Sequence, residues 1–193
     1  MITSTSNGQI KKIQQLLKKS RTRKDEGIFV AEGIKMFREA PPDRIEKIYL
    51  GASFAEKEIW KEILREKGLE GEKESLVEIV EDKVFKSLSD TVTPQGVLCL
   101  IRIKEGTLEE MIPKDRPALL MILEDLQDPG NLGTILRTGE GAGVTGIILS
   151  KNSVDIYNPK VIRSTMGSVY RVPFCYTSSI RDCLLYTSDA ADD

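Results

Sequence analysis

Two apolar segments in the second half of the chain, separated by one amphipathic stretch, limit the possible folds most strongly. ALLMILE at residues 118–124 and GIILS at residues 146–150 each have the length and composition of a buried strand. Between them, DPG predicts a turn and NLGTILRTGEGAG predicts a helix. A strand, a helix and a strand in this order form a right-handed β-α-β unit with parallel strands. The sequence therefore predicts an α/β fold with a parallel sheet in this region.

The first half of the chain also alternates between predicted helices and strands. Residues 7–20 place apolar side chains at spacings of three and four, which predicts an amphipathic helix with lysines on its wet face. RTRKDEG, which follows, is interpreted as a charged turn. SFAEKEIWKEILREKG predicts one helix, with Ser53 as N-cap, Glu56 completing a capping box and Gly68 at its end. Residues 1–103 are thus predicted to form an α/β sandwich.

The composition of residues 104–117 predicts a linker, since this stretch is polar and contains two prolines. A second domain is expected over residues 118–180. Residues 181–193, which include CLLYTSDAADD, show no amphipathic pattern. We interpret this tail as non-native, a gene-model artefact.

The absence of histidine excludes several catalytic classes at once. Nucleophiles activated by histidine and metal sites built on imidazole are both ruled out. The cysteines Cys99, Cys175 and Cys183 are odd in number and widely spaced, which argues against a disulfide framework or a zinc site. They indicate a reducing cytoplasm, with Cys99 as a small buried apolar residue. No apolar run reaches the roughly 18 residues that a membrane span needs, so neither a membrane nor a metal is expected as a partner.

The distribution of charge is uneven, although the net charge is only −2. Residues 1–24 contain seven cations and no acid. Such a segment predicts a basic arm that contacts the phosphates of a nucleic acid, although a solvated helix face would look the same. The arm consists of Lys11, Lys12, Lys18, Lys19, Arg21, Arg23 and Lys24.

A glycine motif between residues 141 and 146 matches the dinucleotide fingerprint G-x-G-x-x-G. A true fingerprint follows a strand and opens a helix, so that the phosphate meets the helix N-terminus. Here the glycines close a predicted helix and precede a strand. We therefore interpret them as helix-end and turn residues. A nicotinamide-dependent enzyme would also need an acid about 20 residues further on, and none stands near Met166.

The turn DPG at residues 128–130 leads into the residues with the strongest catalytic pattern. It follows the carboxyl end of a predicted strand, where sites form in open α/β sheets. Asn131 is predicted at or near the helix N-cap, and Arg137 lies six residues later. At about 100° per residue, the two side chains do not share a helix face. Further on, NPKVIRSTMGS at residues 158–168 predicts a polar elbow with Arg163, Ser164 and Gly167.

Taken together, these segments resemble the SpoU (TrmH-like) family of RNA ribose 2′-O-methyltransferases, within the SPOUT class. SNGQIKKIQQLLKKSRTRKDEGIFVAEG is similar to the start of that family's substrate-binding domain, which is related to ribosomal protein L30e. LEDLQDPGNLGTILRTGEGAGVTGIILS resembles the first catalytic motif, and DIYNPKVIRSTMGSVYRVPF resembles the segment that follows it. The fold implied is an L30e-like α/β sandwich followed by a SPOUT-type parallel-sheet domain.

The resemblance assigns the catalytic roles to Asn131 and Arg137, and RNA binding to the basic arm and Arg163. It implies S-adenosylmethionine as methyl donor, rRNA or tRNA as substrate, and a homodimer for the full-length protein. The Arg is held to act at the ribose 2′-hydroxyl. Because a guanidinium does not lose its proton, anchoring a phosphate and stabilising alkoxide charge suit it better than base catalysis.

The sequence departs from the family pattern near its end. The family's Gly-Asn-Glu-type loop and Ser-Leu-Asn-type segment, which form the cofactor pocket, are not found. The second domain is therefore expected to be incomplete and to lack the family's knot. No cofactor-binding residues are assigned, and this chain is expected to bind S-adenosylmethionine poorly. An RNA-binding module without catalysis is the alternative function.

Overall fold

The computed structural model describes residues 1–89 and 91–189. These residues divide into two compact units, with the boundary between Ile103 and Lys104. Within the described residues, no helix has the length and apolar character needed to cross a bilayer.

The first unit is built on a mixed four-stranded sheet in the order β1-β4-β2-β3. Strand β4 runs antiparallel to both of its neighbours, whereas β2 and β3 are parallel. The strands are β1 (Ile28–Glu32), β2 (Ile45–Gly51), β3 (Val77–Val80) and β4 (Val97–Arg102).

Helices cover both faces of this sheet. The first helix places Ile10, Ile13 and Leu16 in one core cluster. The same cluster contains Phe85 of the sixth helix and Val30 of β1. Because strand residues alternate between faces, Phe29 and Ala31 point to the opposite face, and both are fully buried. The third and fourth helices also pack on the strands. The helices are α1 (Gly8–Lys18), α2 (Ser20–Glu26), α3 (Ile34–Glu39), α4 (Ala52–Ala55), α5 (Ile59–Glu66) and α6 (Asp82–Lys86). The predicted α/β sandwich is confirmed.

Two local predictions for this unit are wrong. RTRKDEG is not a turn but most of α2, which ends at Gly27 in the left-handed conformation. The single helix predicted from residue 53 is broken between α4 and α5, where Trp60 Nε1 donates to the carbonyl of Ala55 at 2.9 Å. Ser53 lies inside α4 and is not a cap. Gly68, at φ +64°, does follow the end of α5 as predicted.

The second unit contains a three-stranded sheet in the order β5-β6-β7, with both pairings parallel. The strands are β5 (Leu120–Leu123), β6 (Gly146–Ser150) and β7 (Phe174–Thr177). The helices are α7 (Leu108–Met111), α8 (Pro129–Gly141), α9 (Pro159–Thr165) and α10 (Ile180–Asp189). The predicted order of strand, helix and parallel strand is confirmed. The absence of a knot stays a prediction.

The stretch predicted as a linker packs on the second unit. Helix α7 begins with a capping box formed by Thr107 and Glu110. Its last residue, Met111, is buried against Gly146 of β6. The backbone N–H of Gly106 donates to the carbonyl of Phe174 at 2.9 Å. These few contacts could not be predicted from the sequence, because the composition of residues 104–117 is mostly polar. That residues 181–193 are non-native stays a prediction, and residues 190–193 lie outside the described residues.

Candidate functional site

The site lies where β5 and β6 end, at the carboxyl rim of the second sheet. The loops after these two strands are bonded to each other. Ser150 Oγ accepts from the backbone N–H of Asp125 at 2.8 Å and donates to its carboxylate at 2.8 Å. Gln127 Nε2 donates to the carbonyl of Asn152 at 2.7 Å. These bonds fix the start of α8 relative to the sheet.

Helix α8 begins differently from the sequence prediction. Its N-cap is Asp128, whose carboxylate accepts from the backbone N–H of Asn131 at 2.6 Å. Pro129 occupies the first helical position, where its missing N–H costs nothing. Asn131 therefore lies inside the first turn and is not the cap. Its side chain is exposed and remains available to a ligand.

Arg137 lies on the same helix and is also exposed. Within the described part of the chain, its guanidinium has neither a hydrogen-bond partner nor an ion pair. The buried face of α8 contains Leu132, Gly133, Leu136 and Gly139. Asn131 and Arg137 flank that face on its two sides, about 120° apart around the axis. The two side chains can thus contact different parts of one large substrate.

The first half of α8 is held by α9. A β-carbon on Gly133 would lie 2.3 Å from Cβ of Ser164 and 2.8 Å from the carbonyl oxygen of Val161. Only glycine permits this approach, which lies one helical turn before Arg137. Arg163, on α9, is half-buried. The predicted elbow is the end of α9, where Met166 and Gly167 are left-handed.

The second half of α8 is held by Glu140, which the sequence prediction missed. Its carboxylate accepts from the hydroxyl of Ser168 at 2.6 Å and from Arg171 Nη2 at 3.1 Å. Arg137 thus lies between two anchors, one at Gly133 and one at Glu140. The spacing of three residues between Arg137 and Glu140 was visible in the sequence, but the partners of Glu140 were not.

The basic arm of the first unit retains only part of its predicted charge. Lys12 forms an ion pair with Glu26 at 2.6 Å, and Arg21 pairs with Asp25 at 3.6 Å. Both acids follow the acid-free stretch and are brought back by α2. The cations that are exposed and have no ion pair within the described residues are Lys11, Lys18, Lys19 and Lys24.

Arg23 does not belong to the RNA-binding surface. It is only 3% exposed, and its Nη1 donates to the carbonyl of Leu16 at 2.6 Å. The guanidinium satisfies the carbonyl end of α1, where helices leave acceptors without partners. The assignment of Arg23 to RNA contact is therefore wrong, because α2 turns this side chain into the protein.

The glycine motif has the arrangement expected of a helix end. Gly141 closes α8, Gly143 has φ +80° and Gly146 starts β6. No phosphate can meet a helix N-terminus at this motif, because the helix ends there. The geometry thus removes the basis of a nicotinamide-dependent enzyme.

Other groups of the described residues offer little to a cofactor. Burial raises the pKa of the Cys99 thiol and raises that of Cys175 to about 11, so neither is a ready nucleophile. No cluster of acids or cysteines suited to a metal is found among the described residues. At the rim, Asp125 and Gln127 already bond within the protein. Neither of these two side chains is therefore assigned to S-adenosylmethionine.

Comparison with known proteins agrees with this architecture. Residues 7–99 match the MRM3-like substrate binding domain, and residues 118–191 match the SpoU rRNA Methylase family. The crystal structure of an AdoMet-bound rRNA methyltransferase from Sinorhizobium meliloti is 27% identical with a TM-score of 0.80, and the match covers 97% of this chain and 67% of that one. The fold is that of a SPOUT methyltransferase with a preceding substrate-binding domain.

Two relatives are named as rRNA methyltransferases. Mitochondrial rRNA methyltransferase 3 of Homo sapiens is 33% identical over 170 residues, covering 86% of this chain and 39% of the relative. The 23S rRNA (guanosine(2553)-2′-O)-methyltransferase RlmP of Bacillus subtilis is 33% identical over 95 residues, covering 49% of this chain and 36% of the relative. This chain thus spans well under half the length of these two relatives. The second unit of the chain, over residues 118–191, contains a SpoU rRNA Methylase domain.

Proposed function

We propose that this protein is an RNA methyltransferase that transfers a methyl group from S-adenosylmethionine to a ribose 2′-hydroxyl of rRNA or tRNA. The observation that carries the proposal is the state of Arg137. This cation is exposed and unpaired within the described residues, on a SpoU-family helix that is anchored on both sides of it. An arginine on a fixed helix with no partner in the protein is available for a phosphate or a developing oxyanion.

Methyl transfer to the 2′-hydroxyl depends more on the positions of the reacting groups than on a strong nucleophile. S-adenosylmethionine supplies an already activated methyl group when it is bound. The guanidinium of Arg137 keeps its proton and acts by donating hydrogen bonds. It anchors the phosphate next to the reacting ribose and stabilises the negative charge that develops on the 2′-oxygen. Asn131, on the other flank of α8, offers a neutral amide that orients the ribose.

The substrate is RNA because the 2′-hydroxyl distinguishes RNA from DNA. The arm formed by Lys11, Lys18, Lys19 and Lys24 adds a phosphate contact that does not depend on sequence. Arg163 remains part of the proposed RNA surface. We also infer a homodimer for the full-length protein and no metal cofactor. A cytoplasmic location is supported by the free cysteines and by the bacterial relative.

A second candidate function is RNA binding without catalysis. Two observations favour it. The first unit matches a substrate binding domain by itself. The polar side chains at the rim of the second unit are already bonded to one another. This chain would then hold RNA while methyl transfer failed for want of a bound donor.

Methyl transfer from labelled S-adenosylmethionine to total rRNA and tRNA tests the proposal. In the full-length protein we expect transfer, loss of at least about 100-fold in Arg137→Ala and partial recovery in Arg137→Lys. Thr138→Ala, an exposed neighbour on α8, is the matched control and should retain activity. RNA affinity measured on the same variants should change little. An unaltered chain that binds RNA but transfers no methyl group would establish the second candidate function.

A further inference from the structure

A crevice lies at one end of the first sheet, away from every residue assigned above. The parallel strands β2 and β3 are neighbours, and each is followed by a short helix. Helix α6, after β3, joins the core cluster, and α4, after β2, packs against both strands. In α/β proteins, ligands bind at the carboxyl ends of parallel strands.

The crevice is a cleft of about 370 Å³ between α4 and α6. Its floor is formed by Phe54 and Phe85, each only 2% exposed. Two glycines keep the backbone close. A β-carbon on Gly96 would lie 2.6 Å from Cβ of Phe54, and one on Gly51 would lie 2.8 Å from Asp82 Oδ1. The volume is within the range of small-molecule sites and accommodates one nucleotide, not a duplex.

One rim of the cleft is formed by residues 92–96, which include an exposed apolar side chain. The carboxylate of Glu32 accepts from the hydroxyls of Ser89 and Thr91 on one side. Gln95 accepts from the backbone N–H of Ile34 at 2.8 Å on the other. Between these anchors, Val92 is 95% exposed. The side chain of Val92 is therefore accessible to a ligand that enters the cleft.

The charged side chains of the cleft that have no ion pair within the described residues are positive. Its lining contains Lys57 and Lys86, both exposed and without an ion pair within the described residues. The lining has one carboxylate, that of Asp82. It accepts from the backbone N–H of Ser53 at 3.1 Å and from the Ser53 hydroxyl. The ammonium group of Lys57 lies 5.6 Å from the centre of the Phe54 ring. Two ammonium groups without an ion pair beside an apolar rim complement a ligand with a phosphate and a flat apolar face.

We propose that this cleft binds one unpaired nucleotide of the RNA substrate. The base packs against Val92 and Pro94 over the aromatic floor, and the ammonium groups of Lys57 and Lys86 hold the adjoining phosphates. This inference rests on the proposed function, since it adds a subsite for the same RNA. It also gives the first unit a preference for single-stranded segments, because a base inside a duplex cannot enter such a cleft.

The test uses the 193-residue chain and single-stranded oligonucleotides that carry 4-thiouridine for photo-crosslinking. We expect crosslinked peptides to contain residues 53–57 or 91–96. Lys57→Glu and Lys86→Glu should each make the negative slope of log affinity against log salt less steep by about 0.7. Lys83→Glu, on the same helix α6 but outside the cleft lining, is the matched control and should change the slope less. Val92→Ser should weaken binding to single strands without altering the slope or the melting temperature.

Several results would contradict the assignment of the cleft to RNA. Crosslinks confined to other peptides, or equal effects of Lys86→Glu and Lys83→Glu, would overturn the cleft assignment, as would a chain that binds no RNA. Equal loss of single-stranded and duplex binding would also overturn it. Methyl transfer that still depends on Arg137 in those cases leaves the proposed function intact, so the two failures are distinguishable. Competition by free nucleoside monophosphate with no effect of chain length would assign the cleft to a small ligand instead of RNA.

Discussion

Gly133 of α8 and Ser164 of α9 are in direct contact, so close that a β-carbon on the glycine would lie 2.3 Å from Cβ of the serine. Backbone atoms of α9 stand just behind, with the Val161 carbonyl oxygen 2.8 Å from the same point. A shift of one side chain therefore cannot relieve the clash. The position of α8, and with it that of Arg137, depends on this glycine.

Gly133→Ala is expected to destabilise the second unit by about 1–3 kcal/mol, because the added methyl group forces the two helices apart. Gly141→Ala, at the end of the same helix, meets nothing within 4 Å and should be neutral or slightly stabilising. Urea unfolding followed by circular dichroism measures both. Equal midpoints for the two variants would show that α8 and α9 are not packed as described.

Arg23→Ala should cost about 2 kcal/mol, since the carbonyl of Leu16 loses a charge-assisted hydrogen bond in a buried position. Arg21→Ala is the matched control. Its side chain is 92% exposed and pairs with Asp25 at 3.6 Å, so its loss should cost less than about 0.5 kcal/mol. Thermal unfolding distinguishes the two. If both variants melt together, the structural role of Arg23 is refuted.

The order of strands and helices was largely predictable from the sequence because it depends on local apolar periodicity. The residues of β6 and the buried face of α1 follow directly from spacing. Where the helices end was less predictable. The break after α4 coincides with a hydrogen bond from Trp60 to the carbonyl of Ala55, a contact that apolar spacing does not predict.

The surroundings of the predicted site residues could not be predicted from the sequence. Asn131 was predicted at or near the N-cap of α8, whereas the N-cap is Asp128. The position of Pro129 indicates this, because proline favours the first residue of a helix. Arg23 and Lys24 look alike in sequence, but one is buried and the other exposed. That difference is set by how α2 packs on α1, a tertiary contact that charge counting does not register.

The basic arm makes RNA affinity depend on salt. Four of its cations are exposed without an ion pair in the described residues, namely Lys11, Lys18, Lys19 and Lys24. With about 0.7 counterions released per contact, the arm contributes roughly −3 to the slope of log affinity against log salt for single-stranded RNA. Lys18→Glu with Lys19→Glu should remove about half of that share, whereas Lys114→Glu in the second unit should not. A slope unchanged by the double reversal would exclude the arm.

Tyr49 links the stability of the first unit to alkaline pH. Burial, with a smaller contribution from the charge of Glu78, raises the pKa of Tyr49 from 10.0 to about 12. The hydroxyl donates to Gln9 at 2.9 Å in the folded state. Because the folded pKa exceeds the unfolded one, the stabilisation is complete below pH 10 and is lost as the pH rises towards 12.

The free energy of unfolding should therefore fall by about 1 kcal/mol between pH 9 and pH 11 through Tyr49 alone. Tyr49→Phe removes this contribution and should show a correspondingly smaller fall, although it begins less stable because Gln9 loses its donor. Urea unfolding at the two pH values gives the difference directly. Tyr170→Phe is the control, since the Tyr170 side chain is only half-buried. An identical pH dependence in the unaltered chain and in Tyr49→Phe would mean that the phenol titrates alike in both states, contrary to its burial beneath α1.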